Sequence, residues 1–219
     1  MEINLKTDIV DLTDCPLSGR HGTYSGQAGF KDGIIYNGEY WIVKYPKTTK
    51  GMQNVDDLSY TTSPLSEYIG SHIYQILGFA AQETVLGIRN DKLVVACKDF
   101  RADDELLLET RTIKNAVNAE LADKLDRSFS ETGDQHTVNL EELILHLREN
   151  DIMRSIAGLS DFFWGCVVID IFINNNDRNN GNWGILRKTD GSERIAPVFD
   201  NGACLSNKLS EKRILRYIF

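Results

Sequence analysis

The stretch Ile173-Asn174-Asn175-Asn176-Asp177-Arg178-Asn179-Asn180-Gly181-Asn182-Trp183-Gly184 decides how the rest of this 219-residue chain is read. An apolar run precedes it, and a strand-like segment, Trp183 to Arg187, follows. Turn chemistry at Thr189-Asp190-Gly191 reverses the chain. A second strand-like segment, Glu193 to Val198, then leads to Phe199-Asp200-Asn201-Gly202. In such a hairpin Asp177 and Asn182 enter where Asp200 leaves, so three oxygen-bearing side chains converge at one end of a small sheet. An Asn/Asp/Gly cluster by itself marks a turn, because these residues tolerate left-handed backbone and bond locally. A turn does not require an Asp-x-Gly at the far end of the hairpin.

Asp-x-x-x-x-Asn, a hairpin and Asp-x-Gly form the spacing that phosphoryl transfer uses. The first Asp orients the acceptor hydroxyl, while the Asn and the second Asp hold magnesium on the nucleotide phosphates. Mg²⁺ wants hard oxygen ligands and takes only one or two carboxylates from a protein. This reading makes Asp177 the catalytic aspartate and Asn182 and Asp200 the metal ligands.

Composition bounds the alternatives. The net charge of −8, with no long basic block, argues against direct nucleic-acid binding by the chain as a whole. Cys15, Cys97, Cys166 and Cys204 are scattered without C-x-x-C spacing, which predicts reduced thiols in a cytoplasmic protein. The N-terminus lacks the shape of a signal peptide. The longest apolar stretch, Phe162 to Ile173, is too short to span a bilayer and contains Asp170. It is expected to be a buried helix in which Asp170 finds a hydrogen-bond partner.

Strands dominate the first hundred residues. Glu2 to Leu12 alternates weakly, as an edge strand would. Ser18 to Lys31 carries four glycines that let backbone N–H groups approach a phosphate. It lacks the Gly-Lys-Ser/Thr ending of a Walker A loop. A hairpin follows: Gly33 to Tyr36, the turn Asn37-Gly38, then Glu39 to Tyr45. With period two, Trp41, Val43 and Tyr45 share one face and Ile42 and Lys44 the other. A strand lysine is ordinarily a rim charge, but this one faces under the glycine loop, where a phosphate-pairing lysine belongs. Ser63-Pro64 opens a helix, with Ser63 as N-cap and Pro64 at the first helical position, that runs to about Leu77 and stops at Gly78. Leu65, Ile69, Ile73 and Ile76 form its apolar stripe. Glu67, Gly70, Ser71 and Tyr74 share another face, where the small residues predict close packing and Glu67 is a candidate partner for Lys44. Thr84 to Ile88 and Lys92 to Cys97 form a second hairpin across Asn90-Asp91. Its exit, Lys98-Asp99-Phe100, is where the backbone would meet an adenine edge.

From Asp103 to Arg127 the pattern reads as helix, with Leu106, Leu107, Ile113, Val117, Leu121 and Leu125 apolar. Asn139 caps another helix, with Glu142 three residues on in a capping-box arrangement. His21, His72, His136 and His146 sit at no metal-ligand spacing and read as structural. The whole is α+β: a β-rich, nucleotide-covering lobe over residues 1–100 and a helical lobe over 101–219 that carries the catalytic and metal loops.

Ser25-Gly26-Gln27-Ala28-Gly29-Phe30-Lys31, the strand Trp41 to Lys47, Ser66-Glu67-Tyr68-Ile69-Gly70, Asn175 to Gly184 and Pro197 to Gly202 resemble the HipA-like serine/threonine kinases of bacteria, in particular their short members. The resemblance implies an ATP- and Mg²⁺-dependent protein kinase of atypical two-lobed fold. It casts Lys44 and Asp177 in catalytic roles. It assigns Ser25, Gly26, Gln27, Ala28, Gly29, Lys31, Lys44, Glu67, Lys98, Asp99 and Phe100 to ATP. It also implies a protein substrate, a DNA-binding antitoxin as partner, and phosphorylation of Ser25. Where ordinary kinases carry His-Arg-Asp, this chain reads Asn175-Asn176-Asp177. The chain ends at Phe219, sooner after the metal motif than the family pattern, so a shortened C-terminal part is expected. Three alternatives stand beside this reading: a phosphoinositide-type lipid kinase, which shares the Asp-Arg…Asn-Trp…Asp-Asn-Gly flavour, a kinase-shaped nucleotide binder without turnover, and a structural protein with an incidental Asn/Asp loop.

Overall fold

The structure, a computed structural model, describes residues 9–20, 31–50, 52, 59–126, 128–129 and 139–208. Its chain divides into two compact units. One holds the residues up to Phe100, Ile173–Asn176 and the segment from Asp200 onward, and the other holds Arg101–Phe172 and Asp177–Phe199.

The first unit is built on a five-stranded sheet. Its strands are β1 (Ile9–Asp11), β2 (Lys31–Tyr36), β3 (Glu39–Lys44), β4 (Thr84–Arg89) and β5 (Lys92–Lys98), in the order β1-β4-β5-β3-β2. Both expected hairpins are present. Asn37 takes φ 50° between β2 and β3, and Asn90 and Asp91 take 52° and 57° between β4 and β5. Such turns match the right-handed twist of the flanking strands. β1 joins β4 in parallel. Period two then sorts the side chains. Trp41, Val43 and Tyr45 pack with Leu12, Ile34, Val94 and Ala96 on one face. On the other, Leu86, Val95 and Cys97 meet Leu65 and Tyr68 of the helix α1 (Ser63–Ile76).

Two details of α1 correct the sequence reading. Its N-cap is Thr62, one residue before Ser63, and the Ser63 hydroxyl pairs with that of Thr61 at 2.9 Å. The buried face is also not the apolar stripe: it consists of Pro64, Ser66, Glu67, Gly70, Ser71 and Tyr74, while Ile69 and Ile76 are exposed. Specific polar contacts and close approach outweigh apolar burial here. A Cβ on Gly70 would lie 2.9 Å from Cys204 Sγ and 3.0 Å from Asn201 Cβ, so the segment after Asp200 packs directly onto the helix backbone. The helix ends as expected, with the Gly78 and Phe79 N–H groups donating to the carbonyls of Gln75 and Tyr74.

The second unit combines β6 (Glu105–Glu109), α2 (Thr110–Leu125), α3 (Leu140–Glu149), α4 (Asp151–Ser155), α5 (Leu159–Phe172), β7 (Gly184–Lys188) and β8 (Glu193–Ile195). Its sheet runs β6-β7-β8, antiparallel throughout. β6 is a correction: the start of the region read as helix is a strand, because pairing with β7 overrides local pattern. The pairing is tight where Gly184 faces Glu109, since a Cβ there would fall 2.2 Å from the Leu108 carbonyl oxygen. Ile113, Leu143, Leu147, Met153, Ile156, Leu159, Phe163, Trp183 and Ile185 form the core. A buried polar cluster adjoins α2 and α3. Lys114 pairs with Glu142 at 3.2 Å, and His146 lies 2.9 Å from Asn118 and 3.3 Å from Asn150. Asn139 caps α3 through the Glu142 N–H, while the Glu142 carboxylate reaches Lys114.

The helix α5 is buried on one face only, another correction: Trp164, Val168, Ile171 and Phe172 are exposed. Asp170 does find its partner, Arg178. All four cysteines are free thiols. Among the described residues, no helix is long and apolar enough to cross a membrane.

Candidate active site

The residues picked out from sequence fall into two sets, one in each unit. In the first unit Lys44 is central. It ends β3 on the face opposite Trp41 and Val43, and its ammonium stands 2.9 Å from Glu67 Oε2 and 2.9 Å from Asp200 Oδ1. Burial alone would push this ammonium down, but the carboxylates of Asp200 and Glu67 outweigh it and hold the lysine charged, well above its ordinary value. Glu67 is almost fully buried, and its second oxygen accepts the Asn201 backbone N–H at 2.9 Å. The Asn201 side-chain amide donates to Ser71 Oγ at 3.0 Å. Thus one carboxylate on α1 joins β3 to the turn that follows Asp200.

Asp200 itself has φ 59°, an unfavourable backbone for a residue with a side chain. Strain of this kind concentrates at functional sites. Lys31 lies directly opposite Lys44 in the β2–β3 register. Burial first, and the charge on Lys44 second, pull its ammonium below the usual lysine value. Two cations on one strand pair suit a polyanion.

The exit of β5 is partly committed within the unit. The Lys98 N–H donates to the Glu83 carbonyl, the Lys98 carbonyl accepts from Gln82, and the Asp99 N–H donates to the Tyr40 carbonyl. The Lys98 ammonium pairs with Glu39 at 2.8 Å and Glu83 at 3.4 Å. Asp99 holds Arg20 at 2.8 Å, and that guanidinium sits over the Tyr40 ring, 4.4 Å from its centroid. Phe100 closes this segment. Ser25, Gly26, Gln27, Ala28 and Gly29 lie outside the described residues.

In the second unit the loop after α5 is knitted by its own asparagines. The Asp177 carbonyl accepts from the Asn179 N–H at 2.8 Å and from the Asn182 side-chain amide at 2.6 Å. Asn179 Nδ2 also reaches Asp177 Oδ1 at 3.3 Å, and Asn179 Oδ1 accepts the Gly181 N–H at 2.8 Å. These bonds set the rim on which Asp177 stands exposed. They also turn the Asn182 amide so that its nitrogen is engaged inward, and its oxygen is the atom suited to a hard cation. Most of the asparagine cluster builds a turn, and that turn carries Asp177 and Asn182.

No group of three or more His, Cys, Asp or Glu side chains able to hold a metal occurs among the described residues. Mg²⁺ keeps waters and takes phosphate oxygens beside one or two carboxylates, so it needs no such group. Sequence reasoning missed Arg178 and Arg20. Asp170, a carboxylate inside an apolar run, was the signal that pointed toward Arg178.

The chain is 36% identical over 197 residues, 90% of its length, to the serine/threonine-protein kinase CtkA of Helicobacter pylori strain J99. The chain is a relative of CtkA. The crystal structure of a Helicobacter pylori proinflammatory kinase CtkA superposes on 96% of the chain with a TM-score of 0.77 and 31% identity, so the α+β fold is that of CtkA. The resemblance to HipA-like kinases is consistent with this relation. The chain spans 56% of the length of the curated CtkA and 65% of the solved one. No protein-family model matches the chain.

Proposed function

We propose that this chain transfers the γ-phosphoryl group of ATP, with Mg²⁺, to a serine or threonine hydroxyl of a protein. The observation that carries the reading is Lys44 charged between Glu67 and Asp200, in a chain related to a serine/threonine kinase. Lys44 and Lys31 bind the phosphates, Glu67 orients Lys44, and Asp200 with Asn182 holds the metal. Mg²⁺, when bound, neutralises charge developing on the phosphates. Asp177 orients the incoming hydroxyl and accepts its proton, which suits its exposure. The segment Lys98–Phe100 and the glycine-rich stretch Ser25–Gly29 belong to the nucleotide site in this proposal. The HipA-like toxin role, with its DNA-binding antitoxin, is part of the same proposal.

The test is incubation with γ-labelled ATP, Mg²⁺ and lysate proteins, followed by phosphoamino-acid analysis. Label on serine or threonine is the expected result. Label on phosphoinositide vesicles instead of protein would move the reading to a lipid kinase. ATP binding with no incorporation anywhere would reduce it to a nucleotide-binding module.

A further inference from the structure

Arg178 joins three separate segments of the second unit. Its Nε and Nη2 donate to the two oxygens of Asp170 on α5, at 2.9 and 3.2 Å. Its Nη1 donates to the carbonyl of Asn182 at 3.0 Å and to that of Phe199 at 2.5 Å. Both charged side chains are buried, at 8% and 7% exposure. A planar guanidinium with five donors can satisfy a carboxylate with two of them and still reach two carbonyls, which an ammonium cannot do in one geometry.

The two carbonyls are informative. Asn182 is one proposed metal ligand, and Phe199 directly precedes the other, Asp200. Arg178 itself directly follows Asp177. One buried guanidinium therefore fixes the backbone at, or one residue from, each of the three groups assigned to chemistry. Core stability alone does not require a charged pair at this point, since buried ion pairs are often replaceable by apolar side chains without loss.

We propose that Arg178, oriented by Asp170, is a positioning residue for metal binding: it sets the backbone from which Asn182 and Asp200 present their oxygens. This rests on the phosphoryl-transfer reading above. Partners that orient metal ligands from behind are worth about 10- to 100-fold in metal affinity or activity.

The variants are Arg178→Lys, which keeps a positive charge against Asp170 but cannot span both carbonyls, and Asp170→Asn, which keeps the volume and an acceptor oxygen. Two quantities are measured on each folded protein with the wild type alongside. One is Mn²⁺ binding in the presence of a non-hydrolysable ATP analogue, followed by the electron paramagnetic resonance of free Mn²⁺. The other is steady-state transfer as a function of Mg²⁺. Both variants are expected to bind Mn²⁺ about 10- to 100-fold more weakly. The Mg²⁺ needed for half-maximal turnover should rise in parallel, with the KM for the acceptor unchanged. Wild-type Mn²⁺ affinity in a folded Arg178→Lys protein would overturn the proposal while leaving the phosphoryl-transfer reading intact. Variants that show no cooperative melting would also overturn it, since the pair would then serve folding. A wild type that neither binds Mn²⁺ with the analogue nor transfers phosphate would bring down the underlying reading and this inference with it.

Discussion

Glu67 Oε1 accepts the backbone N–H of Asn201 at 2.9 Å while Glu67 Oε2 holds the Lys44 ammonium at the same distance. A single buried carboxylate thus couples the end of a strand to a turn far along the chain. Removing one partner of a buried charge pair typically costs on the order of 3–5 kcal/mol. Glu67→Ala is expected to lose about that much in urea unfolding, and Glu67→Gln, which keeps an acceptor for Asn201, clearly less. Equal losses would mean that the whole effect comes from the charge on Glu67 and that the bond to Asn201 contributes nothing.

Asp177 and Asp200 have different roles in the proposed chemistry, and paired substitutions separate them. Asp177→Asn keeps the shape and removes the base, so turnover should fall by about 10²- to 10⁴-fold with ATP binding retained. Asp200→Asn should weaken Mg²⁺-dependent ATP binding as well. Isothermal titration beside the labelled-ATP assay reads both quantities. Wild-type turnover in Asp177→Asn would remove the catalytic assignment.

His146 is fully buried, and desolvation, helped by the nearby charge of Lys114, lowers its pKa to about 4. The folded protein therefore resists a proton that the unfolded chain accepts near pH 6.5. Between those values the unfolded state binds more protons, so stability rises with pH. Acidification from pH 6.5 to 4 should destabilise the fold by no more than about 3 kcal/mol through this group. His146→Gln should flatten that part of the pH–stability curve. A curve unchanged in slope would show that His146 gains its proton without penalty.

At Gly184 an added methyl group would meet the Leu108 carbonyl oxygen at 2.2 Å, a backbone atom that cannot swing aside. Gly184→Ala should therefore disrupt the β6–β7 pairing and destabilise the protein by roughly 1–3 kcal/mol or more. Faster amide exchange at Leu108 and Leu186 would report the loss directly. Exchange rates and stability matching the wild type would contradict the tight approach.

Features governed by neighbours in the chain were legible from sequence. Asn37-Gly38 and Asn90-Asp91 announced their hairpins through turn chemistry, and the alternation of Trp41, Val43 and Tyr45 placed Lys44 on the opposite face. Features governed by distant partners were not. The segment Glu105–Glu109 becomes a strand only because Gly184–Lys188 lies beside it. The apolar stripe of α1 did not mark its buried face; the small residues Gly70 and Ser71 beside Glu67 and Tyr74 did. The ion pair at Glu67 and the backbone contact at Gly70 decide that face. The proposed site residues Asp177, Asn182 and Asp200 were visible as a spacing. The guanidinium behind them was not, because a lone arginine in a polar loop gives no hint that its donors turn inward.

The left-handed backbone at Asp200 carries a consequence for laboratory evolution. An L-residue with a side chain gives up about 1 kcal/mol or more in that conformation, which glycine would not. Natural proteins hold such positions where stability and activity are in conflict. A library randomised at this codon and sorted only for thermal resistance should drift toward asparagine, which tolerates this backbone and keeps an acceptor for Lys44. The same library sorted for phosphoryl transfer should return to aspartate. The frequency at which the two sorts diverge would measure how much stability the chain gives up for its carboxylate.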